Sequence, residues 1–147
     1  LSTKYPQLAD PEGSHRRTRL TERLSWIQTS GDAFRWRLDR PALIVSSCSW
    51  SPDDDFSVLL EALDLYDSQA ASGEGVLNLP RIICIVSGRG PLKDFYSSVV
   101  ARRTWRKVEV LMPWLEWIDY PRLLGCADLG VSLHRSSSGV DLPMKVG

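Results

Sequence analysis

The sequence has no surplus of either charge: 18 Lys and Arg stand against 18 Asp and Glu in 147 residues. That excludes nucleic-acid binding by the domain as a whole, which needs excess positive charge to displace counterions. Histidine is nearly missing, with only His15 and His134, too few to build a metal site alone. Cysteine is sparse and odd in number. Cys48, Cys84 and Cys126 stand far apart, without a CxxC or a Cys/His zinc spacing. They are expected to be buried thiols of a reducing compartment. No apolar run approaches the roughly 20 residues of a membrane span. Leu1 onward shows no basic-then-apolar signal pattern. There is no initiator methionine, and the chain stops at Val146-Gly147 straight after a motif, so both ends read as cuts. The rest of the composition, 43% hydrophobic and 24% charged, is that of a soluble globular domain.

Residues 1–40 read as an inter-domain or linker segment. Pro6, Pro11, Gly13 and Gly31 punctuate it, and its periodicity is weak. Arg16, Arg17, Arg19, Arg23, Arg35, Arg37 and Arg40 make it basic, with Trp26, Phe34 and Trp36 among them. Two readings stand: a contact with a membrane surface or acidic partner, or aromatics that pack on the following domain.

From Pro41 the pattern is regular. Residues 42–48 form a short, largely apolar run that predicts a buried strand. Ser51 and Pro52 are expected to open a helix as N-cap and first residue. Phe56, Leu59, Leu60, Leu63 and Tyr66 then recur at helical spacing. A second strand is predicted over 81–87 and a helix over about 91–103. A third strand follows at 108–111, a short helix around 118–126, and a fourth strand at 128–133. Alternating strands and helices predict an α/β fold, a Rossmann-like parallel sheet with flanking helices. In the order 3-2-1-4-5-6 the first and fourth strands are neighbours at the switch point. The loops at 48–52 and 133–141 should therefore meet at the carboxyl edge, where ligands bind.

Several motifs fall on that edge. Gly88-Arg89-Gly90-Pro91 turns from a strand into a helix, either to let backbone approach a phosphate or as a plain tight turn. Ser136-Ser137-Ser138-Gly139, followed by Lys145, could form a nest of backbone N–H groups for an anion, or a surface loop. Asp53-Asp54-Asp55 is better placed to complement a helix start than to hold a metal. Trp50 and Trp114 each follow a strand, and each either lines the crevice or packs. His134, at the end of the fourth strand, either contacts a ligand or is structural.

The series as a whole resembles the chitobiosyldiphosphodolichol β-mannosyltransferase family. The resemblance is carried by Pro41 through Ser47, Ser49-Trp50, Asp53 through Ser57, Gly88 through Leu92, Pro113 through Glu116, Asp119 through Pro121, Leu123 through Gly125, Ala127 through Val131 and Ser136 through Val146. It covers about residues 40–146. It implies the C-terminal, donor-binding half of a two-domain GT-B glycosyltransferase, with residues 41–147 a partial nucleotide-sugar-binding domain. The implied reaction is inverting transfer of mannose from GDP-mannose to dolichol-diphosphate-linked chitobiose in N-glycan precursor assembly. The implied setting is the cytosolic face of the endoplasmic reticulum membrane, in a membrane-associated glycosyltransferase complex. No cofactor is implied, because such enzymes generally stabilise the departing diphosphate without a bound metal. The resemblance assigns Gly88 and Gly90 to backbone approach, Trp114 to the nucleotide end, and Ser136, Ser137, Ser138, Gly139 and Lys145 to the diphosphate or sugar. It names no catalytic base, so the chain is expected to carry donor recognition and not the chemistry. The alternatives are a truncated, catalytically inactive paralogue acting as a binding or interaction module, and an unrelated Rossmann-like nucleotide-binding domain.

Overall fold

The computed structural model describes residues 3–24, 33–72 and 78–134. The chain divides into two compact units, Leu1–Pro41 and Ala42–Gly147. The first contains a 3-10 turn at Pro6–Leu8 and an antiparallel ribbon of β1 (Thr21–Arg23) and β2 (Phe34–Trp36). Among its described residues, Tyr5, Leu8, Asp10 and Leu20 are buried. Thr18 Oγ accepts the Leu20 and Thr21 N–H groups and so bends the chain into β1. Arg37 grips Asp39 through Nε at 3.0 Å and Nη2 at 2.7 Å. Weak periodicity concealed this ribbon, because strands of three residues are too short to show a period of two.

The second unit holds β3 (Ala42–Ser47), α1 (Phe56–Ser72), β4 (Ile82–Ser87), α2 (Lys93–Ala101), β5 (Val108–Leu111), α3 (Tyr120–Leu124) and β6 (Leu129–Val131). The four strands form one parallel sheet in the order β5-β4-β3-β6. This is the Rossmann-like arrangement expected from the strand–helix alternation, with the first and fourth strands adjacent. All six residues of β4 are buried, as its unbroken Ile-Ile-Cys-Ile-Val run requires of a strand covered on both faces. The β3–β4 register runs from Ala42 opposite Ile82 to Ser47 opposite Ser87. Helix α1 buries Phe56, Leu59, Leu60 and Leu63, one face at helical spacing.

Three expectations need correction. Helix α1 starts at Phe56, so Ser51 and Pro52 do not open it. They belong to a turn closed by the Asp54 N–H on the Ser51 carbonyl at 3.1 Å. Asp55 stands before the helix instead, its Oδ1 accepting the Ser57 N–H at 3.1 Å. Strand β6 is shorter than residues 128–133 and exposes Leu129 and Gly130, because it pairs only with β3 among the described strands. Cys48 and Cys84 are buried, but Cys126 is only half-buried. Burial pushes the Cys84 thiol up to about 12, which keeps it protonated and unreactive at neutral pH.

Helix α1 is fastened to the far side of the sheet by two aspartates. Asp67 Oδ1 accepts the N–H groups of Arg106, Lys107 and Val108 at 2.9, 2.6 and 3.2 Å. Asp64 accepts from Arg103 and from Trp105 Nε1. Burial pushes the Asp64 carboxyl up, but the hydrogen bonds from Arg103 and Trp105 and the Arg103 charge outweigh it, so the group lies below its ordinary value. A lowered folded value contributes stability above the unfolded pKa, which is lost as pH falls through the folded one. Asp64→Asn is therefore expected to flatten the fall of the thermal midpoint below about pH 4. Melting curves collected from pH 6 to pH 2 check this; parallel acid limbs for the two proteins would refute it.

Candidate functional site at the carboxyl edge of the sheet

The carboxyl ends of the four parallel strands carry four loops, after β3, β4, β5 and β6. The first two are locked together by close backbone contact. A Cβ on Gly88 would lie 1.7 Å from the Cys48 carbonyl oxygen, and one on Gly90 would lie 1.8 Å from that of Ser49. Gly88 also has φ +155°. Glycine is needed at both positions to admit the protein's own 48–50 loop. The side on which each glycine lacks a side chain is filled by carbonyl groups of that loop. The Leu92 N–H then donates to the Trp50 carbonyl at 2.9 Å and carries the chain into α2.

Trp50 does not line the crevice with its side chain. It is 0% exposed and forms a core cluster with Phe56, centroids 5.0 Å apart and nearly perpendicular, and with Tyr96 at 6.0 Å. Burial of so large a ring outweighs any gain from exposing it on the edge. Its backbone is held at φ +50°, a conformation disfavoured for a bulky side chain. Its Nε1–H has no acceptor among the described residues. A strained backbone and an unmet donor thus sit at the carboxyl edge of the sheet.

Trp114, after β5, is 49% exposed. The Arg89 guanidinium stacks on it, 3.8 Å from the ring centroid. Arg89, between the two glycines, was not singled out from the sequence. A lone arginine in a tight turn has no readable partner until the fold brings the loop after β5 alongside. The pair joins two loops and combines a flat indole with a fixed positive charge.

At the switch point, His134 and the 49–54 loop come together. Asp54 is 2% exposed. Its Oδ2 accepts the Ser49 N–H at 2.5 Å and the Ser49 hydroxyl at 2.6 Å. Its Oδ1 lies 3.4 Å from His134 Nδ1, and the two backbones form an antiparallel bridge. Asp54 therefore has neither a metal-ligand setting nor a simple helix-start role. It ties the loop after β3 to the loop after β6. Ser136, Ser137, Ser138, Gly139 and Lys145 lie outside the described residues.

No protein-family model matches the chain, and no solved structure matches it. Whole-sequence comparison is informative. The chain is 48% identical over 129 residues to human chitobiosyldiphosphodolichol beta-mannosyltransferase, covering 86% of this chain and 27% of that protein. It is 52% identical over 107 residues to the mouse enzyme of the same name, 73% of this chain and 22% of that protein. It is also 47% identical over 118 residues to the Arabidopsis thaliana UDP-glycosyltransferase TURAN, 74% of this chain and 25% of that protein. The fold and these relatives define the class: an α/β, Rossmann-like domain of a glycosyltransferase. Within that class the chain belongs to the chitobiosyldiphosphodolichol beta-mannosyltransferase family, and it spans 27% of the length of the human relative.

Proposed function

We propose that this chain contributes the donor-binding half of a β-mannosyltransferase that moves mannose from GDP-mannose to chitobiosyl-diphosphodolichol. The observation that carries this reading is the relationship, over most of this chain, to enzymes named as beta-mannosyltransferases of chitobiosyldiphosphodolichol. The stacked Arg89–Trp114 pair supports it, because a flat, cationic surface at the carboxyl edge suits a purine base or the phosphate next to it. His134 at the switch point and, in the segment beyond, Ser136 to Gly139 and Lys145 serve the diphosphate or sugar.

Transfer with inversion is a single in-line displacement. The acceptor hydroxyl loses its proton to a base, its oxygen bonds to the sugar C1, and the C1–O bond to the diphosphate breaks. The half proposed here does the last part of that work. It holds the leaving diphosphate with fixed dipoles and positive charge, which costs no reorganisation as charge develops. The base and the lipid-linked acceptor site belong to the remainder of the enzyme. The setting that follows from a dolichol-linked acceptor is a membrane surface, the cytosolic face of the endoplasmic reticulum, with other glycosyltransferases as partners. The departure of the diphosphate needs no bound metal in this scheme.

Calorimetry with GDP-mannose, GDP and UDP tests the reading. GDP and GDP-mannose are expected to bind more tightly than UDP. The UDP arm matters because one relative carries that nucleotide in its name. Trp114→Ala and Arg89→Ala are each expected to weaken GDP by about tenfold, the worth of one stacking or cation–π contact. Preference for UDP, or no nucleotide binding by a folded chain, would reject the donor assignment.

A further inference from the structure

We propose that Asp54 is a positioning residue, which fixes the His134 ring so that Nδ1 carries the proton and Nε2 is left as an acceptor for a sugar hydroxyl. The ligand part of this inference rests on the donor-binding reading above; the positioning part does not.

Among the described residues, Asp54 stands where the switch-point loops touch, against His134. Its carboxylate is almost wholly removed from water. A buried carboxylate is costly unless donors face it. Oδ2 has two, the Ser49 N–H and hydroxyl. Oδ1 lies 3.4 Å from His134 Nδ1, an ion-pair distance without hydrogen-bond alignment as the ring now stands. An anionic oxygen beside a ring nitrogen favours the tautomer with hydrogen on that nitrogen, because the alternative points a lone pair at a negative charge. The backbone bridge between the two residues limits how far either can move away. With Nδ1–H facing Asp54, Nε2 has only its lone pair. A lone pair accepts from a hydroxyl and repels a phosphate oxygen, so a neutral His134 reads sugar and not diphosphate. Ser49 is held by the same carboxylate, and its hydroxyl is 2.8 Å from that of Ser51. Asp54 thus contacts one residue of each loop, Ser49 and His134.

Asp54→Asn gives a sharp test. The amide oxygen can face the Ser49 donors, which turns the NH2 group toward His134. The ring would then present a lone pair at Nδ1 and its proton at Nε2. Long-range proton–nitrogen correlation spectra of the 147-residue chain, at about pH 9 where imidazole is neutral, read the tautomer directly. The expected result is Nδ1–H in the native chain and Nε2–H in Asp54→Asn. An Nε2–H tautomer in the native chain overturns the proposal, whether or not the variant folds. An unchanged tautomer in a folded Asp54→Asn overturns it as well.

Calorimetry supplies the second arm. The native chain is expected to bind GDP-mannose more tightly than GDP. Asp54→Asn is expected to lose about three- to tenfold in GDP-mannose affinity, the range for one hydrogen bond, with GDP affinity unchanged. Equal losses for both ligands overturn the sugar assignment. Failure of the native chain to bind either ligand defeats the donor-binding reading and, with it, the sugar assignment. The tautomer still decides whether Asp54 positions the ring.

Discussion

Gly90→Ala is expected to destabilise the second unit by about 3 kcal/mol, the upper range for forcing extra atoms into a filled space. The added Cβ would meet the Ser49 carbonyl oxygen at 1.8 Å and the Trp50 Cβ at 3.0 Å. Neither neighbour is the loose end of a flexible side chain. Relief requires moving the 48–50 loop, whose Trp50 is already strained and is packed on Phe56 and Tyr96. The clash therefore propagates into the core and pushes apart two of the loops at the carboxyl edge. Gly88→Ala should be at least as damaging, because φ +155° adds to a contact of 1.7 Å with the Cys48 carbonyl. Gly130→Ala is the control. A Cβ there meets nothing within 4 Å, and a change within about 0.5 kcal/mol is expected, as for surface substitutions. Urea titrations followed by tryptophan fluorescence measure all three. Equal midpoints for Gly90→Ala and Gly130→Ala would show that the 48–50 loop is not held as described.

The second large effect is expected at Asp67. Replacing it by alanine removes the acceptor shared by the Arg106, Lys107 and Val108 N–H groups. Val108 is buried, so water cannot readily replace the lost partner there. A cost of about 3 kcal/mol follows from breaking charge-assisted hydrogen bonds at a buried carboxylate. Asp67→Asn keeps an acceptor oxygen and should cost about 1 kcal/mol, since only the charge assistance is lost. Amide hydrogen exchange adds a local signature: Val108 should lose protection in the alanine variant before the centre of β4 does. If alanine and asparagine prove equivalent, the three contacts contribute little and the entry to β5 is held by strand pairing.

Both effects arise from contacts that a linear reading does not reveal, and that marks the limit of the sequence. The β3, β4 and β5 segments were legible because strands covered on both faces must be apolar without interruption, and Ile82 through Val86 are. Their neighbour order followed from the alternation with helices. The juxtaposition of the first and fourth strands was legible for the same reason, and His134 does meet the loop after β3. Local chemistry at loop ends was not legible. Ser51-Pro52 has the form of a helix start, but the Asp54 carboxylate is drawn to Ser49, and the chain turns once more before the helix begins. Trp50 follows a strand and could line the crevice or pack; it packs, with a positive φ that leaves no trace in composition. The glycine pair carried a signal of close approach, and on the side that a Cβ would occupy the neighbour is the protein's own backbone. Arg89 and Asp54 became candidates only when their partners, Trp114 and His134, appeared beside them.

The strand order has a consequence for how the chain assembles as it is made. Strands β3, β4 and β5 are consecutive and neighbouring, so each can join the growing sheet as soon as it emerges. Strand β6 is different. It belongs beside β3, the earliest of the four, at a separation that places Ile44 against Leu129. One flank of β3 must therefore stay unoccupied until the other three strands and their helices have been synthesised. That flank is a row of open backbone groups in a nascent chain, the kind of edge that recruits other strands. The crevice mouth closes in the same event, because Asp54 gains its contact with His134 only when β6 arrives. The junction of the loops after β3 and β6 is thus the last part of the described fold to form.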